Sequence, residues 1–303
     1  MSTAKPLDPV QRYSLAEWEH IQQVLSRCGY CLLSVQEYST PEQLSQQLLN
    51  WDILPSPYVF GQSPRHKLHP VVYTATEYPA SEHIPLHHEL SYAVQSPRYL
   101  ALYCHHPATT GGQTPLLDGA AFLQNAPETM LRPFVDHGLL YHKCMPSQKG
   151  LGKTWMEHFE TADQDVVEDV LLQNNATIHW HSDGALSIVM HRPAVRNHDV
   201  FNQMVWFAQP TLWHLSRLGS RGQFLQTRLP VDRLPIHVTY GDGTEISGAT
   251  LMHLQQLMLQ QSRFVHWRSG DLLIVDNWWV AHGRLPFTGE RIHWAAMGSP
   301  PPS

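Results

Sequence analysis

A cluster of metal-binding side chain types is the most informative feature of this sequence. His87, His88 and Glu89 follow one another, and His282 lies near the end of the 303-residue chain. In an extended chain, residues two apart point the same way, so His87 and Glu89 can meet at one metal ion while His88 faces the other side. Two imidazoles and one carboxylate leave coordination positions open, which suits an Fe(II) ion that must also bind a co-substrate and O2.

A histidine two residues before a glutamate is weak support when taken alone. The chain contains 21 His, so such a pair arises by chance, and surface side chains are the alternative interpretation. The sequence before His282 strengthens the metal interpretation. Residues 271–275 form an apolar run typical of a buried strand, which opens at the turn 269–270, and His282 follows closely. A third metal ligand is expected where such a strand ends facing a pocket.

Arg291 follows His282 in a second strand-like run, which is expected to return beside the 271–275 strand. Its guanidinium can hold a carboxylate through a fork of two hydrogen bonds. A surface salt bridge is the alternative for this arginine. The sequence therefore brings a candidate carboxylate-binding group close to the candidate metal ligands.

The composition favours a soluble enzyme with one large core. Hydrophobic residues make up 42% of the chain, and 20 basic residues against 26 acidic residues give a formal net charge of −6. No basic stripe indicates nucleic-acid binding, and no long apolar run indicates a membrane span. Because the first residues lack the apolar core of a signal peptide, a cytoplasmic location is expected. We predict one domain over 1–303, with a frayed tail at about 298–303.

Hydrophobic periodicity predicts a chain with both helices and strands. Helices are predicted at 15–26, 41–51, 119–124, 163–173 and 248–262. Strands are predicted at 31–35, 98–103, 114–117, 186–190, 205–207 and 271–275. The segment 52–85 contains six Pro and little periodicity, so we expect irregular structure over a pocket.

Several separated motifs occur in an order that is similar to a known enzyme family. They lie at 87–92, 107–118, 150–155, 240–243, 270–271, 282–284 and 286–291. The sequence resembles the taurine dioxygenase (TauD/TfdA) superfamily of Fe(II)- and 2-oxoglutarate-dependent oxygenases. Within that superfamily it most resembles the syringomycin-biosynthesis-type (SyrP-like) hydroxylases. The resemblance covers residues from about 28 to 297.

The resemblance implies a fold and a set of cofactors. The implied fold is mainly β with decorating helices, a distorted double-stranded β-helix or jelly roll. His87, Glu89 and His282 would bind Fe(II), with O2 and 2-oxoglutarate as co-substrates. The far carboxylate of 2-oxoglutarate would meet Arg291 and the hydroxyl of Thr114. A turn-closing role is the alternative for Thr114. From their place just before His282 in the sequence, we also expect residues 276–277 to support this ligand.

The resemblance also implies a reaction. Such enzymes oxidise 2-oxoglutarate to succinate and CO2 and hydroxylate an aliphatic C–H bond of an amino acid or amino-acid-derived substrate, here in natural product metabolism. Related halogenases have a small residue in place of the carboxylate ligand, so Glu89 favours hydroxylation or a variant such as desaturation. Two other classes remain open, a noncatalytic jelly-roll binding protein and a jelly-roll metalloenzyme of different chemistry, for example a cupin isomerase.

The substrate is the least determined feature. Relatives that act on free amino acids or sulfonates often carry a second arginine four residues after the one that binds 2-oxoglutarate, where this chain has Ala295. Either Arg192 or Arg196 holds the anionic group of a free amino acid, or the substrate lacks a free carboxylate. The resemblance favours the second alternative, an amino acid tethered to a peptidyl carrier protein. The oligomeric state is undetermined.

Overall fold

The computed structural model describes residues 10–14, 17–35, 38–55, 65–75, 77–150 and 152–300. Within these ranges the α-helices are α1 Trp18–Cys28, α2 Pro41–Asn50, α3 Gly119–Asn125, α4 Glu128–His137, α5 Trp155–Phe159, α6 Gln164–Gln173, α7 Pro210–Trp213, α8 Ser220–Arg228 and α9 Gly248–Gln260. The first strands are β1 Arg12–Ser14, β2 Tyr30–Ser34, β3 Leu54–Pro55, β4 Lys67–His69, β5 Val72–Thr74, β6 Ile84–His87, β7 Tyr99–His106, β8 Thr110–Gly111, β9 Thr114–Asp118 and β10 Leu139–Met145. The remaining strands are β11 Ala176–Trp180, β12 Leu186–Arg192, β13 Val195–His198, β14 Gln203–Trp206, β15 His237–Tyr240, β16 Arg263–Val265, β17 Asp271–Asp276, β18 Val280–Arg284, β19 Phe287–Thr288 and β20 Ile292–Ser299.

Local sequence explains where the first two helices begin and end. Helix α1 ends at Gly29, whose φ of 74° lies in the left-handed region and whose N–H donates to the carbonyl of Leu25. Helix α2 begins with Pro41 in the first turn, and the Gln43 side chain accepts a hydrogen bond from the backbone N–H of Thr40. The predicted helix at 41–51 is therefore confirmed to within one residue at its end.

The largest sheet has the strand order β1-β2-β17-β7-β20-β5-β4, and β3 pairs with β20. The β1–β2 pair is parallel, and the other pairs are antiparallel. The prediction that the run after Arg291 returns beside the 271–275 strand is wrong, because β7 lies between β17 and β20. Arg291 itself precedes the first residue of β20.

The central strand β17 is buried on both faces, which explains its continuous apolar run. Leu272 and Ile274 pack with residues of α1 and α2 on one side of the sheet. Leu273 and Val275 pack on the other side against the four-stranded sheet β16-β9-β18-β6. Two sheets therefore lie face to face, with helices covering the outer face of the larger one.

The second face of the four-stranded sheet joins a third apolar layer. Leu86 of β6 and Ala281 of β18 belong to a core shared with α3, α4, α6, α7, α9 and the sheet β11-β12-β10-β15. Strand β18 is thus held between two cores, and its neighbour β6 packs on the second of them. This packing fixes the backbone that carries the predicted metal ligands.

The segment 52–85 is more regular than predicted. Among its described residues it contains β3, β4, β5 and the start of β6, while 56–64 and 76 lie outside the described residues. Strands β3 and β5 each pair with β20. Because such pairing joins residues far apart in sequence, local periodicity did not predict it.

No helix in the described part of the chain is long and apolar enough to cross a membrane.

Candidate active site

Strand pairing brings the predicted metal ligands together. His87 ends β6, and His282 lies directly opposite it on the antiparallel neighbour β18. Residues opposite each other on one face of a sheet have closely spaced side chains, and the two imidazole ring centres are 4.4 Å apart. Glu89 follows β6 after one residue and returns its carboxylate to the same place. The two distant segments therefore converge as the sequence predicted.

The three side chains present one nitrogen or oxygen each to a common point. Glu89 Oε1 lies 3.8 Å from His87 Nε2 and 3.6 Å from His282 Nε2. All three residues are buried, with relative exposures of 4–6%. The candidate ligand atoms lie within 4.8 Å of one another, close enough to share one metal ion. The donor set of two imidazoles and one carboxylate fits Fe(II) with open coordination positions.

The hydrogen bond of His87 and the pKa of His282 suit metal binding. The Nδ1–H of His87 donates to the carbonyl of Pro85 at 2.8 Å, which leaves the lone pair of Nε2 directed at the common point. Burial, together with the nearby His87, lowers the pKa of His282 to about 4. Its imidazole is therefore neutral near pH 7, as a metal ligand must be.

Glu89 is ionised in spite of its burial. Burial alone would raise the pKa of this carboxyl group. The positive charge of Arg65, which forms a salt bridge with this carboxylate, is the largest of the contributions that outweigh burial, and the pKa of Glu89 lies well below its usual range. The site therefore offers a carboxylate, not a carboxylic acid.

His88 faces away from the site, as predicted. Its Nδ1–H donates to the carbonyl of Asn277 at 2.6 Å, and its ring lies 4.8 Å from that of Phe207. Burial lowers its pKa to about 3, so His88 is a neutral core residue.

Asn277 holds the backbone of Glu89, a role that the sequence did not reveal. Its side chain accepts from the N–H of Glu89 at 2.7 Å and donates to the carbonyls of Glu89 at 3.0 Å and Pro97 at 2.8 Å. The next residue, Leu90, has a φ of 54°, which costs about 1–3 kcal/mol in a residue with a side chain. Asn277 stabilises this strained turn. The expectation that residues 276–277 support His282 is therefore corrected, because the described hydrogen bonds of Asn277 join it to His88, Glu89, Pro97 and Arg98. The side chain of Asp276 bonds to Arg98, His198 and the N–H of Trp278.

Asn277→Ala is expected to weaken metal binding roughly 10- to 100-fold, because residues that orient a ligand have effects of that size. Calorimetric titration with Mn(II) measures the change. Asn197→Ala is the matched control, since that side chain is exposed and bonds only to Asn202 in the described contacts. Mn(II) affinity equal to that of the unmodified protein, in a variant that unfolds at the usual temperature, would refute the role of Asn277.

The three predicted ligands line a cavity of about 40 Å³, which has room for only a few water molecules. The other lining residues are Arg65, Ala75, Ile84, Leu102, Thr114, Gly283, Arg284 and Arg291. A second cavity of about 380 Å³ shares Ala75, Arg284 and Arg291 with the first. The predicted metal site thus adjoins a larger space that two arginines border.

Arg291 is suited to bind a carboxylate. It forms no salt bridge with any carboxylate of the described residues, and its buried Nε has no hydrogen-bond acceptor there. Burial, together with the positive charge of Arg284, lowers the pKa of Arg291 to about 10, so it stays protonated near pH 7. A guanidinium whose Nε is buried, and which has no carboxylate partner in the part of the chain that the structure describes, favours an anionic ligand.

Two polar side chains accompany Arg291. Thr114 is buried on β9, and its hydroxyl oxygen accepts from the indole N–H of Trp267 at 3.1 Å, which leaves its own O–H to be donated. His293 lies two residues after Arg291, borders the 380 Å³ cavity, and has no hydrogen-bond partner at either ring nitrogen among the described residues. Its spacing of two residues from Arg291 could have identified His293 from the sequence, because side chains two residues apart in a strand point to the same side. Together these groups fit a dicarboxylic acid such as 2-oxoglutarate.

Arg192 and Arg196 lie outside both cavities. The Arg192 guanidinium donates to the carbonyls of Tyr92, Asn174 and His191, so it stabilises the backbone. Arg196 lies over the ring of Trp278, 4.1 Å from its centre, and also contacts Phe207. The structure therefore does not bring either predicted substrate-binding arginine to the metal ligands.

Arg65 is a site residue that sequence reasoning missed. Its side chain is only 3% exposed and forms a salt bridge with Glu89. No local motif marks it, because Arg65 lies in the Pro-rich segment and its contact spans many residues of sequence.

A second group of potential metal ligands, His214, His237 and Glu245, is better explained by hydrogen bonding. The backbone N–H of Ser216 donates to His214 Nδ1 at 3.0 Å, so the neutral ring carries its proton on Nε2. That Nε2–H donates to Glu245 at 2.8 Å, and His237 bonds to the same carboxylate at 3.0 Å. A protonated Nε2 has no lone pair for a metal ion.

Comparison with known sequences agrees with the geometry. Residues 4–297 match the family "Taurine catabolism dioxygenase TauD, TfdA family". The chain is 32% identical over 281 residues to the dapdiamide synthesis protein DdaC of Enterobacter agglomerans, covering 92% of this chain and 85% of that protein. It is 30% identical over 249 residues to a clavaminate synthase-like protein of Arabidopsis thaliana, covering 78% of this chain and 71% of that protein.

Solved structures show the same fold. PvcB, described as an Fe, alpha-ketoglutarate dependent oxygenase from an isonitrile synthetic pathway, superposes with a TM-score of 0.54 at 16% identity, covering 96% of this chain and 86% of PvcB. A taurine dioxygenase from Burkholderia xenovorans gives a TM-score of 0.53 at 16% identity, covering 97% and 88% of the two chains. With the family match over nearly the whole sequence, these similarities confirm the predicted enzyme class. The chain belongs to the TauD/TfdA family of Fe(II)- and 2-oxoglutarate-dependent dioxygenases.

Proposed function

We propose that this enzyme hydroxylates an aliphatic C–H bond of an amino acid or amino-acid-derived substrate in natural product metabolism. The observation that carries the proposal is the convergence of His87, Glu89 and His282 beside Arg291, a buried cation without a carboxylate partner in the described residues. Bound Fe(II) supplies activation of O2, which couples the conversion of 2-oxoglutarate to succinate and CO2 with oxidation of the substrate.

Each protein group has a defined part in this proposal. His87 and His282 bind iron through their Nε2 atoms, and Glu89 adds a negative charge that favours iron binding. Arg291 and Thr114 hold the far carboxylate of 2-oxoglutarate and so fix its orientation. Because Glu89 keeps the carboxylate position filled, the proposal favours hydroxylation or desaturation over halogenation.

The proposed architecture is a distorted double-stranded β-helix in which residues 1–303 act as one oxygenase domain. Two observations support this architecture. The largest sheet packs face to face on the sheet β16-β9-β18-β6, and the neighbouring strands β6 and β18 of that smaller sheet carry His87 and His282.

The substrate can reach the enzyme in either of two forms, free or tethered to a carrier protein. Ala295 is fully buried between the two sheets, so its position contributes no anion-binding group. One alternative is an amino acid tethered to a peptidyl carrier protein, and the other is a free amino acid or derivative. DdaC, by its name a dapdiamide synthesis protein, and PvcB, from an isonitrile synthetic pathway, support a biosynthetic role. The cytoplasmic location stays a prediction.

Anaerobic titration with Fe(II), with and without 2-oxoglutarate, tests the proposed function. We expect a weak visible charge-transfer band only when both are present, because the band requires 2-oxoglutarate to chelate iron. On admission of O2, succinate should form in proportion to the 2-oxoglutarate consumed.

Two other outcomes would contradict this proposal. A noncatalytic binding protein would give no succinate, whether or not it bound iron. A metalloenzyme of another chemistry, such as a cupin isomerase, would bind iron without a band that depends on 2-oxoglutarate. Zn(II)-loaded protein is the control, because zinc fills the site but has no redox chemistry.

A further inference from the structure

Lys143 is a lysine whose side chain points toward the protein interior. It lies on β10, where the register with β12 is continuous, so it shares a face with Tyr141 and Met145, which belong to the core. Its Nζ lies 3.5 Å from both ring nitrogens of His158 on α5. Buried lysines are rare unless a carboxylate pairs with them, so the surroundings of Lys143 indicate its role.

The neighbours of Lys143 are basic. Lys143 forms no salt bridge with any carboxylate of the described residues. Burial, together with the positive charge of Lys153, lowers the pKa of Lys143 to about 7. Burial and the charges of Lys143 and Lys153 lower the pKa of His158 well below its usual range. A strand, a loop and a helix therefore bring these three side chains together as a basic cluster.

Acidic side chains of the surrounding segments are engaged elsewhere. Glu157, the one acidic residue of α5, accepts hydrogen bonds from the backbone N–H and the hydroxyl of Thr154 at 2.9 and 3.0 Å. Asp183, in the turn between β11 and β12 that contacts α5, accepts from Nη1 of Arg233 at 2.8 Å. A bound anion can therefore supply the negative charge that the basic cluster needs.

The loop before α5 leaves room for a ligand. Gly152 has a φ of 90°, and a Cβ placed on it would meet no atom within 4 Å in the described part of the chain. Lys153 follows it and is exposed, whereas Lys143 and His158 are half-buried. The described linings of the two cavities beside the metal ligands include none of these three bases. The basic cluster is therefore a separate place in the molecule that a ligand can reach from solvent.

Two lysines and a histidine suit a phosphate group. A guanidinium binds a planar carboxylate through a fork, whereas an ammonium group is a point charge that meets a single oxygen from many directions. A phosphate group presents several anionic oxygens, so donors from β10, the loop and α5 can each meet a different one. A phosphate monoester carries a charge of about −1.5 to −2 near pH 7, which offsets two ammonium groups.

We propose that Lys143, Lys153 and His158 bind the phosphate group of a small-molecule ligand, at a site separate from the metal centre. The bound phosphate stabilises the ammonium form of Lys143, which burial disfavours. The phosphate belongs either to a free phosphorylated compound or to the phosphopantetheine arm of a carrier protein. This site goes beyond the proposed function and does not depend on it, because phosphate binding there needs neither iron nor 2-oxoglutarate.

Calorimetric titration of the full chain tests the site, with inorganic phosphate, 4′-phosphopantetheine and pantetheine as probes. We expect the two phosphates to bind and pantetheine not to bind. Lys143→Met should weaken phosphate binding about tenfold or more, since it removes a charge-assisted hydrogen bond. Lys67→Gln, which changes an exposed lysine on β4, is the control and should leave binding unchanged. Tighter binding of 4′-phosphopantetheine than of inorganic phosphate would assign the ligand to a carrier arm, and equal binding would assign it to a free phosphorylated compound.

Two further variants make the result decisive. Lys143→Met removes a charge that has no carboxylate partner in the described residues, so the variant should unfold at the usual temperature or above. Lys153→Gln changes an exposed side chain and should weaken phosphate binding severalfold without affecting stability. Phosphate binding that survives in Lys143→Met, or that is lost in Arg291→Ala instead, would overturn the proposal, as would the absence of binding at millimolar phosphate. The charge-transfer band and succinate formation test the proposed function separately, so their failure leaves the phosphate titration unaffected.

Discussion

Replacing His87 or His282 by Ala is expected to abolish iron-dependent succinate formation while the fold is kept. Each substitution removes one of three proposed ligands and opens the site to water, so Fe(II) affinity should fall by roughly 100-fold or more. The loss should appear both as reduced Fe(II) binding in an anaerobic titration and as loss of succinate from 2-oxoglutarate. Because the imidazoles line a cavity, their removal should change the unfolding temperature little.

His88→Asn is the matched control for these two variants. His88 is adjacent in sequence but points into the core, and an asparagine amide can keep the hydrogen bond to the carbonyl of Asn277. We expect this variant to bind Fe(II) normally and to lose some stability from the smaller side chain. Unchanged turnover in His87→Ala or His282→Ala would reject the proposed ligand set. Equal loss of Fe(II) binding in His88→Asn would mean that the assigned register is wrong.

The spacing of residues predicted the candidate ligands because that information is local. A two-residue period predicted His87 and Glu89 on one side and His88 on the other. In the structure β6 ends at His87, and Glu89 reaches the same side from a turn that Asn277 holds. The buried strand 271–275 could also be predicted from the sequence, since a strand covered on both faces is apolar throughout. The family resemblance, confirmed by the match over residues 4–297, assigned Fe(II) to His87, Glu89 and His282 and 2-oxoglutarate to Arg291.

The features that the sequence did not reveal depend on long-range contacts. Arg65 reaches Glu89 from a segment with no periodic pattern, and Asn277 holds a backbone turn almost two hundred residues before it. The candidate arginines Arg192 and Arg196 have the right charge, but their surroundings engage them elsewhere. A residue type indicates what a side chain can bind, whereas tertiary packing decides what lies within its reach.

Arg291→Ala is expected to raise the Michaelis constant for 2-oxoglutarate far more than that for the primary substrate. The substitution removes a charge-assisted fork worth roughly 2–5 kcal/mol when the other partner stays buried, so the constant should rise about 30-fold or more. Thr114→Ala should act in the same direction by about 1 kcal/mol, or roughly fivefold, since it removes one neutral hydrogen bond. Steady-state succinate formation, with each substrate varied in turn, measures both effects.

Two control variants show whether the effect of Arg291→Ala is specific to 2-oxoglutarate binding. Arg291→Lys keeps the positive charge but loses the fork, so its Michaelis constant for 2-oxoglutarate should fall between those of the unmodified enzyme and Arg291→Ala. Arg132→Ala removes an exposed arginine on α4 and should leave both constants unchanged. If Arg291→Ala raised the constants for both substrates equally, or lowered the unfolding temperature without affecting either, Arg291 would serve the fold. A selective rise for 2-oxoglutarate, graded through the lysine variant, requires that this buried cation bind the far carboxylate directly.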